Sequence, residues 1–391
     1  MDFALGESHR LVREAARDFA SRRLAPLARE IEDSKALPVE LFRELGRIGL
    51  LGLSIPEAYG GSEQGFLASA IAGEELGRAS AAFSLSFGAH AFLCAHNLCA
   101  NADDAQRRRF LPKLCSGEWI GAFALTEPGS GSDAASLQTR AVRRGDRWVL
   151  NGTKIFITNG SIARVFLLFA RTGRRRGHGA LSAFVVERDA PGFSVGRDIE
   201  KLGTCGSPLS ELVLQDCEVP AENLVGQEGD GLKIMLTGLD TERSVFSGLA
   251  VGIGQAALDC ALDYAAKRRQ FQQPIASFQL VQEMLSQTAT ELEAARLLTY
   301  QAAWRLDQGL EVSKQASFAK LFAAQMVVRA AQQAVQILGG YGYTKEFPAE
   351  RLYRDAILTG IGGGTSQIQQ LIIARELLKE RARKIRVPAA A

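Results

Sequence analysis

Two stretches of the chain hold side chains and backbone that could do proton chemistry together. The first, LTGIGGGTSQIQQLIIAR (Leu358 to Arg375), runs three successive glycines into a threonine, a serine and apolar residues at helical spacing. Such a sharp turn onto a helix N-terminus suits an anion or a cofactor, yet it contains no acid, base or nucleophile. The second, GLDTERSVFSG, holds Asp240, Glu242 and Arg243 in a long apolar helical run. Taken alone, DTER reads as a solvated charged turn. Helix geometry argues otherwise, because Asp240 and Arg243 are three apart and pair on one face while Glu242 points about 100° away from Arg243. Ser247, Gly248, Gly252 and Gly254 follow, small enough for another helix or a ligand to approach closely. A carboxylate in such an apolar slot has its pKa raised, as a general base needs.

The elements that must position these groups fall into three zones. From Leu11 to about Leu114 apolar residues recur at three and four, as in LVREAARDFASRRLAPLAREI, and predict helices. From about Gly121 to Val225 short β-branched runs such as RWVLNGTKIFIT and LSAFVVER, separated by Gly, Asn, Asp and Pro, predict a small antiparallel β domain. After GDGLKIM the helical period returns and persists to about Ala382. Its segment lengths suit a four-helix bundle. The order helix, sheet, helix has no βαβ alternation and argues against a Rossmann dinucleotide fold. The expected division is an N-terminal helical domain at 1–120, a central β domain at 121–228 and a C-terminal helical bundle at 229–391.

Bulk properties bound the function. With 391 residues, 47% hydrophobic and 23% charged, the chain has the composition of a soluble globular protein with large cores. Its net charge is +3, and the densest basic run, RRRGHG at Arg174 to Gly179, lacks interleaved aromatics and reads as a solvated loop, so no nucleic-acid partner is expected. Six cysteines form no CxxC pair and have no companion histidine at ligand spacing, so reduced thiols, no metal site and a cytoplasmic location are expected. The N-terminus goes directly into an amphipathic helix and no run of about 20 apolar residues occurs, so neither secretion nor membrane spanning is expected.

Two further stretches, GAFALTEPGSGSD (Gly121 to Asp133) and QILGGYGYTKEFPAERLYRDA (Gln336 to Ala356), read individually as turn-rich loops. In this order, flanking a β domain and followed by GTSQIQ, they closely resemble the signature regions of the acyl-CoA dehydrogenase family, over nearly the whole chain. The resemblance implies a flavoprotein that binds FAD non-covalently and desaturates an acyl thioester between Cα and Cβ. It matches Thr126 and Ser132 to flavin, pyrophosphate and substrate contacts, Phe156 to an aromatic stacked on the flavin face, and Thr158 to a hydroxyl near N5. Without it, Phe156 reads as an ordinary core aromatic. From a neighbouring subunit it implies Arg268 and Phe271 of KRRQFQQP over the adenosine and diphosphate, and Gln336 and Gly340 near the pyrophosphate. Thr365 and Gln367 complete the cofactor set. A homodimer or homotetramer follows, with electron-transfer flavoprotein or another acceptor as redox partner.

Many relatives carry the catalytic glutamate immediately before the Gly-Thr pair, where this chain has Gly363. A minority, including isovaleryl-CoA dehydrogenase, carries the base on the long helix, and GLDTERSVFSG resembles that segment. The resemblance therefore implies Glu242 as α-proton base, hydride transfer from Cβ to flavin N5, and the Gly363 N–H as donor to the thioester carbonyl. An oxyanion donor of that kind is worth about 2.7–4 kcal/mol. Asp240, Arg243, Ser132 and Gly362 are the expected substrate-side residues. Gly362 and Gly363 leave volume for a short branched or cyclic acyl-CoA. Two other readings stay open. Cys205, where the family commonly has Arg, and the Ser-Pro turn of KLGTCGSPLSEL suit an acyl or aminoacyl group on a carrier protein, and a non-catalytic flavin-binding assembly protein is the third.

Overall fold

The computed structural model describes residues 4–173 and 180–386, so the basic run Arg174 to Gly179 lies outside the described residues. The first layer is helical: α1 (Glu7–Phe19), α2 (Ala28–Ser34), α3 (Glu40–Arg47), α4 (Gly65–Ala79), α5 (Ala81–Gly88), α6 (Asn97–Asn101) and α7 (Asp104–Cys115). Helix α1 buries Val12, Ala16 and Phe19, one stripe at spacings of four and three. A capping box between Asp103 and Gln106 starts α7.

The strands β1 (Gly121–Ala124), β2 (Arg140–Arg144), β3 (Arg147–Thr158), β4 (Val165–Arg171), β5 (Leu181–Glu187), β6 (Phe193–Asp198), β7 (Leu209–Pro220) and β8 (Leu224–Val225) form one sheet. Its order is β6-β7-β3-β2-β4-β5-β8, with β1 also on β4. The sheet is mixed rather than antiparallel throughout, because β1 runs parallel to β4 from Gly121 opposite Val165, and β2 meets β4 in parallel at Arg140 and Arg171. Between β1 and β4 the chain makes a long turn and the β2–β3 hairpin, a crossover long enough to return it in the same direction. Residue alternation carries no record of strand direction. In β4 and β5 successive residues enter different cores: Val165, Leu167 and Phe169 pack with α7 and the first turns of the long helix, Phe166, Leu168 and Ala170 with β3 and β7.

The third zone holds α8 (Gly231–Lys267), a hairpin of β9 (Arg269–Gln270) and β10 (Gln273–Pro274), then α9 (Gln279–Asp307), α10 (Ser313–Leu338), α11 (Ala349–Leu358) and α12 (Ser366–Arg386). Helix α8 is long and apolar enough to cross a membrane, but it is mostly buried as the central helix of the bundle. Its glycines make the helix contacts possible. A Cβ at Gly248 would lie 2.4 Å from the Ala70 carbonyl oxygen and one at Gly252 2.2 Å from that of Glu74, so α4 lies backbone to backbone on α8. Gly254 faces Met326 of α10. These small residues therefore serve helix packing and leave no room there for a ligand.

Candidate active site

Glu242 is 4% exposed, and its Oε2 is buried without a hydrogen-bond partner. The glycine turn comes to it directly: a Cβ added at Gly363 would stand 2.8 Å from Oε2 and 2.9 Å from Oε1. Gly363 has φ +66°, a conformation that suits glycine. Among the described residues nothing accepts a hydrogen bond from the Gly363 N–H. The turn is instead held by its carbonyls. Arg243 Nε donates to Gly363 O at 3.0 Å, and Lys320 Nζ of α10 and Gln369 Nε2 of α12 both donate to Gly364 O, at 2.5 and 3.0 Å. Arg243 is itself pinned by Asp240, Nη1 to Oδ1 at 3.0 Å, the pairing expected from their spacing. Thr365 Oγ accepts from Ile368 N–H and caps α12, and Gln367 is exposed on the first turn.

Burial pushes the Glu242 carboxyl above the ordinary carboxylate range, opposed by the positive charges of Arg243 and Lys320. Asp240 is also raised by burial, and Arg243 pulls it back. Burial lowers Lys320 to about 8, opposed by Glu242. The arrangement is a proton-hungry carboxylate beside a free backbone donor, which can take a proton from a carbon acidified by that donor.

The second part of the site is the turn after β1. Its shape depends on the buried pair Glu127 and Lys154. Lys154 Nζ donates to Glu127 Oε1 at 2.8 Å and to Leu125 O at 3.0 Å, and the Glu127 carboxylate also accepts from the Gln138 and Thr139 amides. Burial lowers Lys154 to about 8, although Glu127 works against it. The turn leaves Thr126 half-buried and Ser132 exposed. Ile155 N–H donates to Thr126 O at 2.9 Å, which sets Phe156 beside that turn. Phe156 is no core aromatic. It has φ +58°, sits in a bulge between Lys154 and Ile157, and is 55% exposed. A bulky residue in the left-handed region is strained, and a bulge re-aims its side chain. Thr158 is half-buried two residues on. Leu125 shares a core with Ile234, Met235 and Leu239, so the turn and the Asp240–Arg243 segment are packed on common ground. Cys205 lies half-buried elsewhere, its Sγ 3.9 Å from Arg354 Nη1.

The third group lies far from the first. Arg268, Gly339, Gly340 and Tyr341 line a depression of about 480 Å³, with the Arg268 guanidinium 5.9 Å from the Tyr341 ring centre. Gln336 is exposed one turn earlier on α10 and does not line it. Phe271 and Gln272, at φ +49° and +65°, turn the β9–β10 hairpin and leave Phe271 87% exposed. Arg268 follows the last residue of α8 and lies 26 residue steps beyond Glu242, about 39 Å at 1.5 Å per residue.

Three domain descriptions cover the chain: "Acyl-CoA dehydrogenase, N-terminal domain" at 6–118, "middle domain" at 122–217 and "C-terminal domain" at 229–378. The chain belongs to the acyl-CoA dehydrogenase family and is an oxidoreductase. It is 44% identical over 380 residues to probable acyl-CoA dehydrogenase YngJ of Bacillus subtilis, covering 97% of this chain and 100% of that one. It is 42% identical to mitochondrial isovaleryl-CoA dehydrogenase of Oryza sativa, covering 94% and 90%. Among solved structures, butyryl-CoA dehydrogenase of Megasphaera elsdenii superposes with a TM-score of 0.95 at 38% identity, covering 97% and 100%. The prolyl acyl carrier protein oxidase AnaB superposes at 0.92 and 34% identity, covering 96% and 100%.

The family is FAD-dependent, and the residues present fit that cofactor. Phe156 is offered as an open aromatic face, and a Cβ placed at Gly129, Gly131, Gly339 or Gly340 meets nothing within 4 Å, so the backbone at both turns is open to a ligand. Sequence reasoning missed Lys154, Glu127 and Lys320. Lys320 had a signal, since it interrupts the buried stripe Ala316, Ala319, Ala323 on α10.

Proposed function

We propose that the protein dehydrogenates a short branched or cyclic acyl-CoA between Cα and Cβ, with Glu242 as the base. The observation that carries this reading is the approach of Gly363 to the buried Glu242, whose Oε2 has no hydrogen-bond partner and would lie 2.8 Å from a Cβ placed at 363. Glu242 takes the α-proton. The Gly363 N–H, its own carbonyl held by Arg243, donates to the thioester carbonyl and so acidifies that proton. Asp240 keeps Arg243 in place at the substrate end. Bound FAD supplies the acceptor for the β-hydride at flavin N5. Thr126, Ser132, Phe156 and Thr158 would hold the flavin end, and Thr365 and Gln367 would meet it beside the glycine turn.

Arg268, Phe271, Gln336 and Gly340 would hold the adenosine diphosphate end of a neighbour's FAD. The separation of Arg268 and Phe271 from Glu242, most of the length of α8, is too great for one cofactor to reach both within a protomer, which supports a homodimer or homotetramer. Electron-transfer flavoprotein is the proposed acceptor and the cytoplasm the proposed location, the latter supported by six free cysteines. Gly362, exposed and with only Leu358 near a Cβ placed there, leaves space for branching.

Anaerobic mixing with isovaleryl-, isobutyryl-, butyryl- and hexanoyl-CoA tests the reading, since a competent enzyme bleaches its flavin. Fastest bleaching by a branched thioester is the expected result, and a clear preference for hexanoyl-CoA would overturn the substrate assignment. The likeness to AnaB, together with Cys205 in the KLGTCGSP turn, favours one second reading, an acyl group on a carrier protein. The same mixing with the carrier-bound thioester distinguishes it.

A further inference from the structure

The glycine turn is held by a lysine that the reaction chemistry leaves without a task. Lys320 is 8% exposed on α10, among alanines, and donates to Gly364 O at 2.5 Å. The neighbouring Gly363 is the residue whose Cβ would stand 2.8 Å from Glu242 Oε2. One peptide unit thus links the residue in contact with the carboxylate to the carbonyl that the ammonium holds. We propose that Lys320 is a positioning residue for the reacting pair: its ammonium fixes the turn that presents the Gly363 N–H and supplies Glu242 with a buried positive charge. Burying a lysine is costly unless its charge is used, and among the described residues no carboxylate pairs with it directly.

The charged surroundings are few. Helix α8 contributes Glu242, Arg243 and Asp240, α10 contributes Lys320, and Arg375 of α12 acts on Asp240. Glu74, Glu75 and Arg78 of α4 and Arg296 of α9 are engaged in their own pairs. Arg243 is shared between Asp240 and Gly363 O. Of the two cations that act on Glu242, Arg243 pairs with Asp240, while Lys320 has no carboxylate of its own among the described residues. Burial raises the Glu242 pKa and Lys320 opposes the rise, so removing the ammonium moves the ionisation of the base further up in pH.

The inference rests on Glu242 as base, and its test separates the two. Holoenzyme carrying Lys320→Met, Lys320→Gln or Lys320→Arg is compared with wild type for FAD content, kcat, KM and the pH profile of kcat/KM. In the Met and Gln variants kcat should fall at least tenfold with little change in KM. Their acid limb should move up by about one pH unit, the low end for an opposite charge at close range. Lys320→Arg should keep the limb near its wild-type position. The carboxylic-acid infrared band absent from Glu242→Gln should persist to correspondingly higher pH in the Met or Gln variant. If those variants fail to fold, Lys320→Arg decides, because a shifted limb in that charge-conserving variant overturns the proposal. An unmoved limb in a folded Met or Gln variant overturns it too, while Glu242→Gln stays inactive. Near-normal bleaching by Glu242→Gln would overturn the base assignment itself.

Discussion

The close approach of Gly363 to Glu242 makes a single methyl group informative. In Gly363→Ala the new Cβ would sit 2.8 Å from Oε2 and 2.9 Å from Oε1, against the roughly 3.5 Å of ordinary contact, so the carboxylate must retreat by about half an ångström or more. The backbone also resists, because φ is +66° and left-handed geometry costs an L-residue about 1–2 kcal/mol. The fold can absorb that cost, so the melting temperature should drop by only a few degrees. Catalysis should suffer more. Misplacement by about 1 Å costs on the order of 10²-fold, so half that distance predicts roughly a tenfold slower flavin bleaching in anaerobic stopped flow. Gly360→Ala is the control, since a Cβ there meets only Ile357 O and Ser366 Oγ, both at 3.7 Å, and has no positive φ to oppose it. Its rate should stay within about twofold of wild type, as surface changes of ≤0.5 kcal/mol do. Equal rates for Gly363→Ala and wild type, or equal losses at both glycines, would refute the argument that this carboxylate is held against this turn.

Glu242→Gln should keep FAD but slow bleaching by several orders of magnitude, and near-normal bleaching would remove Glu242 from the mechanism. The same substitution should stabilise the protein at neutral pH. The folded Glu242 carboxyl has a raised pKa, so its contribution to stability is fully present below the unfolded value and is lost as pH rises through the folded one. Thermal melts of Glu242→Gln should therefore exceed wild type at pH 8 and converge with it near pH 4. Arg268→Glu should yield apoprotein or weakly held FAD, read by absorbance after gel filtration, and a monomer with stoichiometric FAD would contradict a shared site. Lys154→Met, which strands the buried Glu127 carboxylate, should cost about 3 kcal/mol in denaturant unfolding and loosen FAD, whereas an unchanged midpoint would show that the pair does not hold the turn.

The helical and β zones were legible because periods of 3.6 and 2 are written in single residues: Val12, Ala16 and Phe19 of α1, or the alternating faces of β4. The parallel pairing of β1 was not, since it is set by where the chain returns after β2 and β3. The Asp240–Arg243 pair followed from helix geometry alone. The approach of Gly363 to Glu242 did not, as the two are 121 residues apart and only the packing of α12 and α10 on α8 brings them together. Phe156 shows another limit. Its strand looks regular in sequence, whereas the bulge and the positive φ that turn it outward arise from a register slip against β7.

The glycine at 363 and the glutamate at 242 are best understood as one choice. A side chain on the turn and a carboxylate on the helix would claim the same few cubic ångströms, because the first atom of the former falls within 2.8 Å of the latter. A base on the turn would be carried by the short connection between α11 and α12. A base on α8 is instead carried by the most deeply packed helix of the bundle, whose backbone touches α4 at Gly248 and Gly252. The turn, relieved of any side chain at that point, needs only to aim an N–H, and for that task its carbonyls are gripped by Arg243, Lys320 and Gln369. On the proposed roles, the proton acceptor would sit on the rigid helix and the donor on a turn of fixed orientation. The proposed pairing would account for Arg243 and Lys320 being buried near a carboxylate with which neither forms a direct salt bridge.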